Sequence, residues 1–223
     1  MLIRKILLTL LITTLAMLAL PRLGFFHVSA EAPNLPTLDE FVSELHAASG
    51  LAGVYSDGVF ALPVVHQPSG NPGFVSSQPG VATEFAMAQT YNTTGLLAHN
   101  TLAGAEFTHL TVGQTLVLVY ANGERKTYQV AKIERYQALN PHNVRSDFVD
   151  LSNIGRRLSA TELFNRVYAP GNRLVLQTCI ANQGELSWGR LFIIAVPVTR
   201  AALTITTYDP MPSWYMGGGI FAR

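Results

Sequence analysis

Apolar residues along the chain form one long block and then a series of short ones. The long block runs from Ile6 to Leu20, fifteen residues without a charge, behind Arg4 and Lys5. Val28-Ser29-Ala30 follows as a small-residue cleavage site. This is the pattern of an export signal, either cleaved near Ala30 or kept as an N-terminal membrane anchor over residues 1–30. Both outcomes place the rest of the chain outside the cytoplasm, because the basic residues hold the N-terminus inside. Residues 31–50 read as a spacer with a short helix. Thr37 and Glu40 have capping-box spacing, and Leu38, Phe41, Val42 and Leu45 share one helical face.

From Leu51 the texture changes. Short apolar stretches alternate with Gly, Pro, Ser and Asn clusters, and strand-length segments are expected at 59–65, 94–98, 115–120, 126–133, 173–178, 190–196 and 202–206. Asn122-Gly123 predicts a type I′ hairpin turn. Many short strands and few helices read as an antiparallel sandwich or barrel over residues 51–208. The connection from Ala138 to Asn172 is long for a compact domain, which marks it as a candidate substrate wall. Within it, Ser159 and Glu162 form a second capping box, and Leu163, Phe164 and Val167 give a short helix an apolar side. Residues 209–223 have no periodic pattern and read as a loose tail.

Composition narrows the function. Fifteen Lys and Arg balance fourteen Asp and Glu, and apolar residues make up 48% of the 223. No basic field or nucleic-acid motif is present, so nucleic acid is not an expected partner. One cysteine and scattered histidines give no ligand spacing for a metal, and no cofactor is expected. The lone cysteine, Cys179, stands out in an exported chain, where thiols usually pair as disulfides. It is either a buried small hydrophobe or a nucleophile. A nucleophilic thiol needs a proton partner and a donor for the developing oxyanion. Of the six histidines, His27, His46, His66, His109 and His142 suit solvated or structural positions. His99 closes the apolar run 94–98, at a strand end where a side chain can enter a site.

Three blocks carry a resemblance. Leu176-Gln177-Thr178-Cys179, followed by Gly189-Arg190-Leu191-Phe192, resembles the Leu-x-Thr-Cys and arginine signature of sortases. Leu97-Ala98-His99-Asn100-Thr101, with Gly104, Phe107, Leu110 and Gly113 behind it, resembles their histidine block, except that Ala98 stands where many members have glycine. The order His, Cys, Arg also matches. The resemblance implies an all-β fold with short helices, a closed β-barrel of about eight strands, and a cysteine transpeptidase of the bacterial cell surface. It implies Cys179 as nucleophile, His99 as proton partner and Arg190 as oxyanion or carbonyl holder. Thr178 would flank the thiol and position substrate. Trp188 would line the acceptor groove, or simply pack. The implied partners are proteins with a C-terminal sorting signal, often Leu-Pro-x-Thr-Gly-like, and an amine acceptor from a peptidoglycan precursor or another surface protein. A thiol hydrolase of the same fold, and a noncatalytic exported β-domain that binds surface protein or glycan, remain open alternatives.

Overall fold

The computed structural model describes residues 35–198. The expected leader over 1–30, the segment 202–206 and the tail over 209–223 lie outside the described residues. Among the described residues ten strands are present: β1 (Leu51–Ser56), β2 (Phe60–His66), β3 (Ala82–Glu84), β4 (Thr93–Leu97), β5 (Thr115–Tyr120), β6 (Arg125–Ala138), β7 (Phe148–Asp150), β8 (Arg157–Leu158), β9 (Arg173–Asn182) and β10 (Glu185–Pro197). Three α-helices join them: α1 (Leu38–Glu44), α2 (Ala86–Gln89) and α3 (Ala160–Tyr168). A 3₁₀ helix spans Ala103–His109.

The sheet order is β10–β9–β4–β3–β2–β1–β5–β6, and β6 pairs back onto β10. Eight strands therefore close into a barrel, which leaves no open edge along that circuit. β7 and β8 continue from β6 as a flap outside the circuit. The barrel is mostly antiparallel, with parallel pairings at β2–β3 and β4–β9. Alternation along the strands sorts the side chains. Leu174, Leu176, Leu191 and Ile193 point into the barrel with Leu96, Leu116 and Phe107. Val175, Phe192 and Ile194 point outward and are covered by Leu163, Val167 and Tyr168 of α3.

Both capping boxes form. Thr37 caps α1 and Ser159 caps α3, each with its Glu reaching back three residues. α1 lays Phe41 against Tyr55 and Val119 on the outer barrel wall, and Asp39 pairs with Arg125 at 2.8 Å. The hairpin after β5 differs from the type I′ expectation. Only Gly123 has a positive φ, at 82°, and the Gly123 amide donates to the Tyr120 carbonyl at 2.9 Å. The loop is thus three residues, a β-turn followed by a left-handed glycine, which also matches right-handed strand twist.

Four strands fall outside the expected set. β1 is buried at all six positions, since the barrel interior covers one face and α1 flanks the other, so it shows no alternation. β3, β7 and β8 have only two or three residues each, too few for a periodic signal. β6 extends to Ala138 rather than 133 because its outward face carries Glu134 and Tyr136, buried under the Ala138–Asn172 connection.

Candidate active site

Cys179 lies near the end of β9, flanked by the two strands that carry the other candidates. On one side β10 runs antiparallel, with Arg190 directly opposite Cys179. Direct partners on a pleated sheet share a face, so the thiol and the root of the guanidinium side chain emerge together. On the other side β4 runs parallel, with Leu97 level with Gln177. The Ala98 amide donates to the Gln177 carbonyl at 3.2 Å and carries the pairing one step further. His99 is two residues past Leu97, and Cys179 is two residues past Gln177. The histidine is therefore level with the cysteine along neighbouring chain segments.

This face is the outward one. Cys179 follows Val175 and Gln177 in pleat, and those two are covered by α3: Val175 packs in its core layer, and the Tyr168 hydroxyl donates to Gln177 Oε1 at 2.7 Å. The helix layer stops there. One step further along β9, Cys179 is half-buried, Arg190 is half-buried and His99 is exposed. The long connection thus forms a wall beside the three residues without sealing them.

The His99 segment is held from below. The Thr178 hydroxyl donates to the Ala98 carbonyl at 2.9 Å. The amides of Leu102 and Gly104 both donate to the His99 carbonyl, at 2.9 and 3.0 Å. Gly104 is there for space: a Cβ on it would lie 2.3 Å from Thr178 Oγ1, 2.7 Å from the Ala98 oxygen and 2.8 Å from the His99 oxygen. Thr178 is only 2% exposed. Its hydroxyl faces inward and joins β9 to the histidine segment.

The Arg190 segment is shaped by a bulge. Glu185 pairs with Asn182 and Gly189 pairs with Ile180, so residues 186–188 stand opposite the single residue Ala181. Such bulges re-aim side chains. The extra residues present the half-buried Trp188 and the exposed Leu186, and Asn100 Nδ2 donates to the Leu186 carbonyl at 2.9 Å. Asn100 thereby ties the His99 segment to the β9–β10 hairpin. A second tie comes from the long connection, where His142 Nε2 lies 3.0 Å from Glu185 Oε2. Glu185 Oε1 also accepts from the Ser187 amide at 2.8 Å. Arg190 Nη1 donates to the carbonyls of Ser187 and Gly189, at 3.0 and 2.9 Å. Among the described residues, Nη2 and Nε of Arg190 have no partner, which leaves three N–H donors for a ligand.

Behind Arg190, Tyr136 is its cross-strand partner on β6. The Tyr136 hydroxyl donates to Glu134 Oε2 at 2.7 Å, and Arg166 of α3 reaches Glu134 at 3.2 Å and Asp150 at 3.7 Å. Lys132 also pairs with Glu134. This buried ionic cluster fastens α3 and β7 to the barrel beside the site. Burial pushes the Glu134 carboxyl up, and bonds from Lys132, Tyr136 and Arg166 outweigh it, so its pKa falls below the ordinary value.

The other described histidines have their own settings. His46 and His109 are exposed, His66 pairs with Glu84 at 2.5 Å, and His142 pairs with Glu185. Among the described residues no cluster of three or more His, Cys, Asp or Glu could hold a metal ion. Sequence reasoning passed over Asn100 and Gly104 as functional residues, although both lie inside the histidine block. Their signal was spacing from His99, which acquires meaning only with the β4–β9 pairing.

No protein-family model matches the chain, and no curated protein matches it. The solved structures it resembles include sortases. A sortase C-1 mutant from S. pneumoniae aligns at 16% identity over 70% of this chain and 69% of that one, with a TM-score of 0.47. Sortase C-1 from Actinomyces oris aligns at 14% identity over 74% of this chain and 82% of that one, with a TM-score of 0.45. Sortase C1 from Streptococcus agalactiae, in complex with MTSET, aligns at 16% identity over 70% of each chain, with a TM-score of 0.42. The closed barrel itself rests on the strand pairings given above.

Proposed function

We propose that the protein is a sortase-type cysteine transpeptidase that works outside the cytoplasm. What supports this reading is register: Arg190 stands directly opposite Cys179, and exposed His99 follows two residues past Leu97, just as half-buried Cys179 follows two residues past its partner Gln177. Cys179 belongs to neither core layer: Leu174 and Leu176 fill the barrel, Val175 lies under α3, and the thiol beyond them is only half-buried.

The roles follow from side-chain chemistry. Cys179 as thiolate attacks the scissile carbonyl of a sorting signal and forms a thioester, while the carbonyl oxygen takes negative charge. Arg190 stays protonated and cannot serve as base, so its three unpaired N–H groups hold that oxygen. His99 as imidazolium favours the thiolate by charge and donates its proton to the leaving amine. An incoming amine then attacks the thioester, gives up a proton to the imidazole and expels the thiolate. The exposed apolar side chains Leu139 and Leu186, 43% and 54% exposed, lie at this end of β6 and β10 and suit an apolar stretch of the signal peptide. Protein substrates with a Leu-Pro-x-Thr-Gly-like signal and a surface amine acceptor fit this chemistry.

The test is incubation with a fluorogenic Leu-Pro-x-Thr-Gly-like peptide and an added amine, wild type beside Cys179→Ala. Cleavage with a new amide product, lost in the variant, is the expected result. Equal turnover by both proteins would overturn the proposal. Cleavage without amide product would instead assign a thiol hydrolase.

A further inference from the structure

A cleft of about 1200 Å³ opens at the end of the barrel opposite Cys179. It is lined where β4 and β9 begin, where β10 ends, and by β5, β6 and their hairpin. Ten of its fifteen lining residues carry a hydroxyl or a carboxamide, three are cations, and none is a carboxylate. That bias is local, because the whole chain is nearly balanced at fifteen basic and fourteen acidic residues.

The cations are poised rather than spent. Arg125 pairs with Asp39, which is 85% exposed, and Lys126 lies 3.5 Å from Glu124, which is 50% exposed. Exposed pairs of this kind are weak and yield to a better anion. Lys126 also sits over the ring of Tyr120, another lining residue, 4.8 Å from its centroid. Arg173 makes only long bonds to the carbonyls of Gly171 and Val167, at 3.4 and 3.5 Å. The rim is also conformationally unusual. Asn92 and Asn172 both adopt left-handed backbone, with φ of 53° and 46°, and the Asn172 amide donates to the Asn92 carbonyl at 2.7 Å. They are two of the three non-glycine residues with positive φ among those described, and such conformations gather at binding sites.

We propose that this cleft binds an acidic oligosaccharide. The hydroxyl and carboxamide wall matches the many donors and acceptors of sugar hydroxyls, and Lys126, Arg125 and Arg173 match an anionic substituent, carboxylate or phosphate. β9 links the two ends: Cys179 lies six positions beyond Arg173, roughly 20 Å of strand. A peptide chemistry at one end and a glycan mooring at the other would hold an exported enzyme against an anionic polysaccharide surface. The cleft stands on its own lining and does not depend on the assignment of Cys179.

The experiment is amide chemical-shift titration of the full chain with three probes: trigalacturonic acid, glucose 6-phosphate and neutral maltotriose. The proposal expects saturable shifts at the amides of residues 120–129 and 172–173 with at least one anionic probe, and none with maltotriose. Which anionic probe saturates first identifies carboxylate or phosphate as the substituent. Affinity should fall as salt rises, and by ~10-fold or more in Lys126→Glu, the size of one lost charge-assisted bond. Lys126 is half-exposed, so the variant should melt with the wild type. No shifts with either anionic probe at millimolar concentration would overturn the proposal. So would equal affinity for inorganic phosphate, titrated as a fourth probe, or binding indifferent to Lys126→Glu.

Discussion

Gly104→Ala tests the seating of the His99 segment most sharply. Gly104 has no left-handed φ, so the substitution strains no backbone and acts through space alone. The new Cβ would fall within 2.3–2.8 Å of three atoms, Thr178 Oγ1 and the carbonyl oxygens of Ala98 and His99. Two of the three are backbone, and the third is held in a 2.9 Å bond to one of them. None can swing aside as a flexible side-chain tip would. Overpacking at such a site costs about 1–3 kcal/mol. Displacing the Thr178 hydroxyl from Ala98 forfeits a further ~0.5–1.5 kcal/mol. Together these come to about 1.5–4.5 kcal/mol, or a melting temperature lower by roughly 3–18 °C for a domain of this size. The relief route is to push the 3₁₀ helix away from β9, which also shifts His99 relative to Cys179, so turnover of the signal peptide should fall with stability. The assay is thermal unfolding by circular dichroism, beside Gly155→Ala as control, whose nearest atom would be 4.0 Å away. If Gly104→Ala melts within ~2 °C of wild type while the control does the same, the close packing described here is wrong.

Other consequences can be measured on the same preparation. Arg190→Ala should lower the acylation rate by about 10²–10³-fold, the usual cost of one oxyanion donor, and Arg190→Lys should fail to restore it because the planar fork is gone. Asn100→Ala removes the 2.9 Å bond to the Leu186 carbonyl; a loss of ~0.5–1.5 kcal/mol in stability with a larger fall in turnover is expected, read from melting and initial rates. Glu134 and Asp150 both have folded pKa values below their ordinary ones. For Asp150, burial pushes its pKa up, but bonds from Ser152 and the nearby Arg166 and Arg156 prevail. Depressed carboxyls stabilise the fold above their unfolded pKa and lose that contribution as pH falls through the folded one. Urea midpoints should therefore drop below about pH 4, and Glu134→Gln should flatten that drop. An unchanged slope in the variant would remove Glu134 from the account.

Much of the barrel is readable from the chain, and the failures have physical causes. Strands with one solvated face, such as the first half of β6, declare themselves by alternation and a flanking turn. β1 does not, because α1 covers the side that would otherwise be polar. β6 hides its second half, since Glu134 and Tyr136 look like loop residues until Arg166 arrives from α3 to satisfy them. The hairpin at Asn122-Gly123 shows that one left-handed glycine can suffice where the dipeptide suggests two positive angles. At the site, the residue types of Cys179, His99 and Arg190 are visible in sequence as isolated blocks. Their shared level is not visible, because it depends on a parallel pairing between β4 and β9 whose registers are separated by eighty positions. Thr178 is the instructive case: it is beside the thiol in sequence, and the pleat turns it inward, where its hydroxyl donates to the Ala98 carbonyl.

The central claim is that Cys179 is an outward-facing nucleophile served by His99 and Arg190. It is tested most directly by intact mass measurement after brief exposure to a Leu-Pro-x-Thr-Gly-like peptide without added amine, followed by peptide mapping. The account predicts an acyl adduct on Cys179, discharged on addition of an amine, and slow to form in His99→Ala and Arg190→Ala. An unmodified Cys179 in wild-type protein that is cleaving the peptide would contradict it.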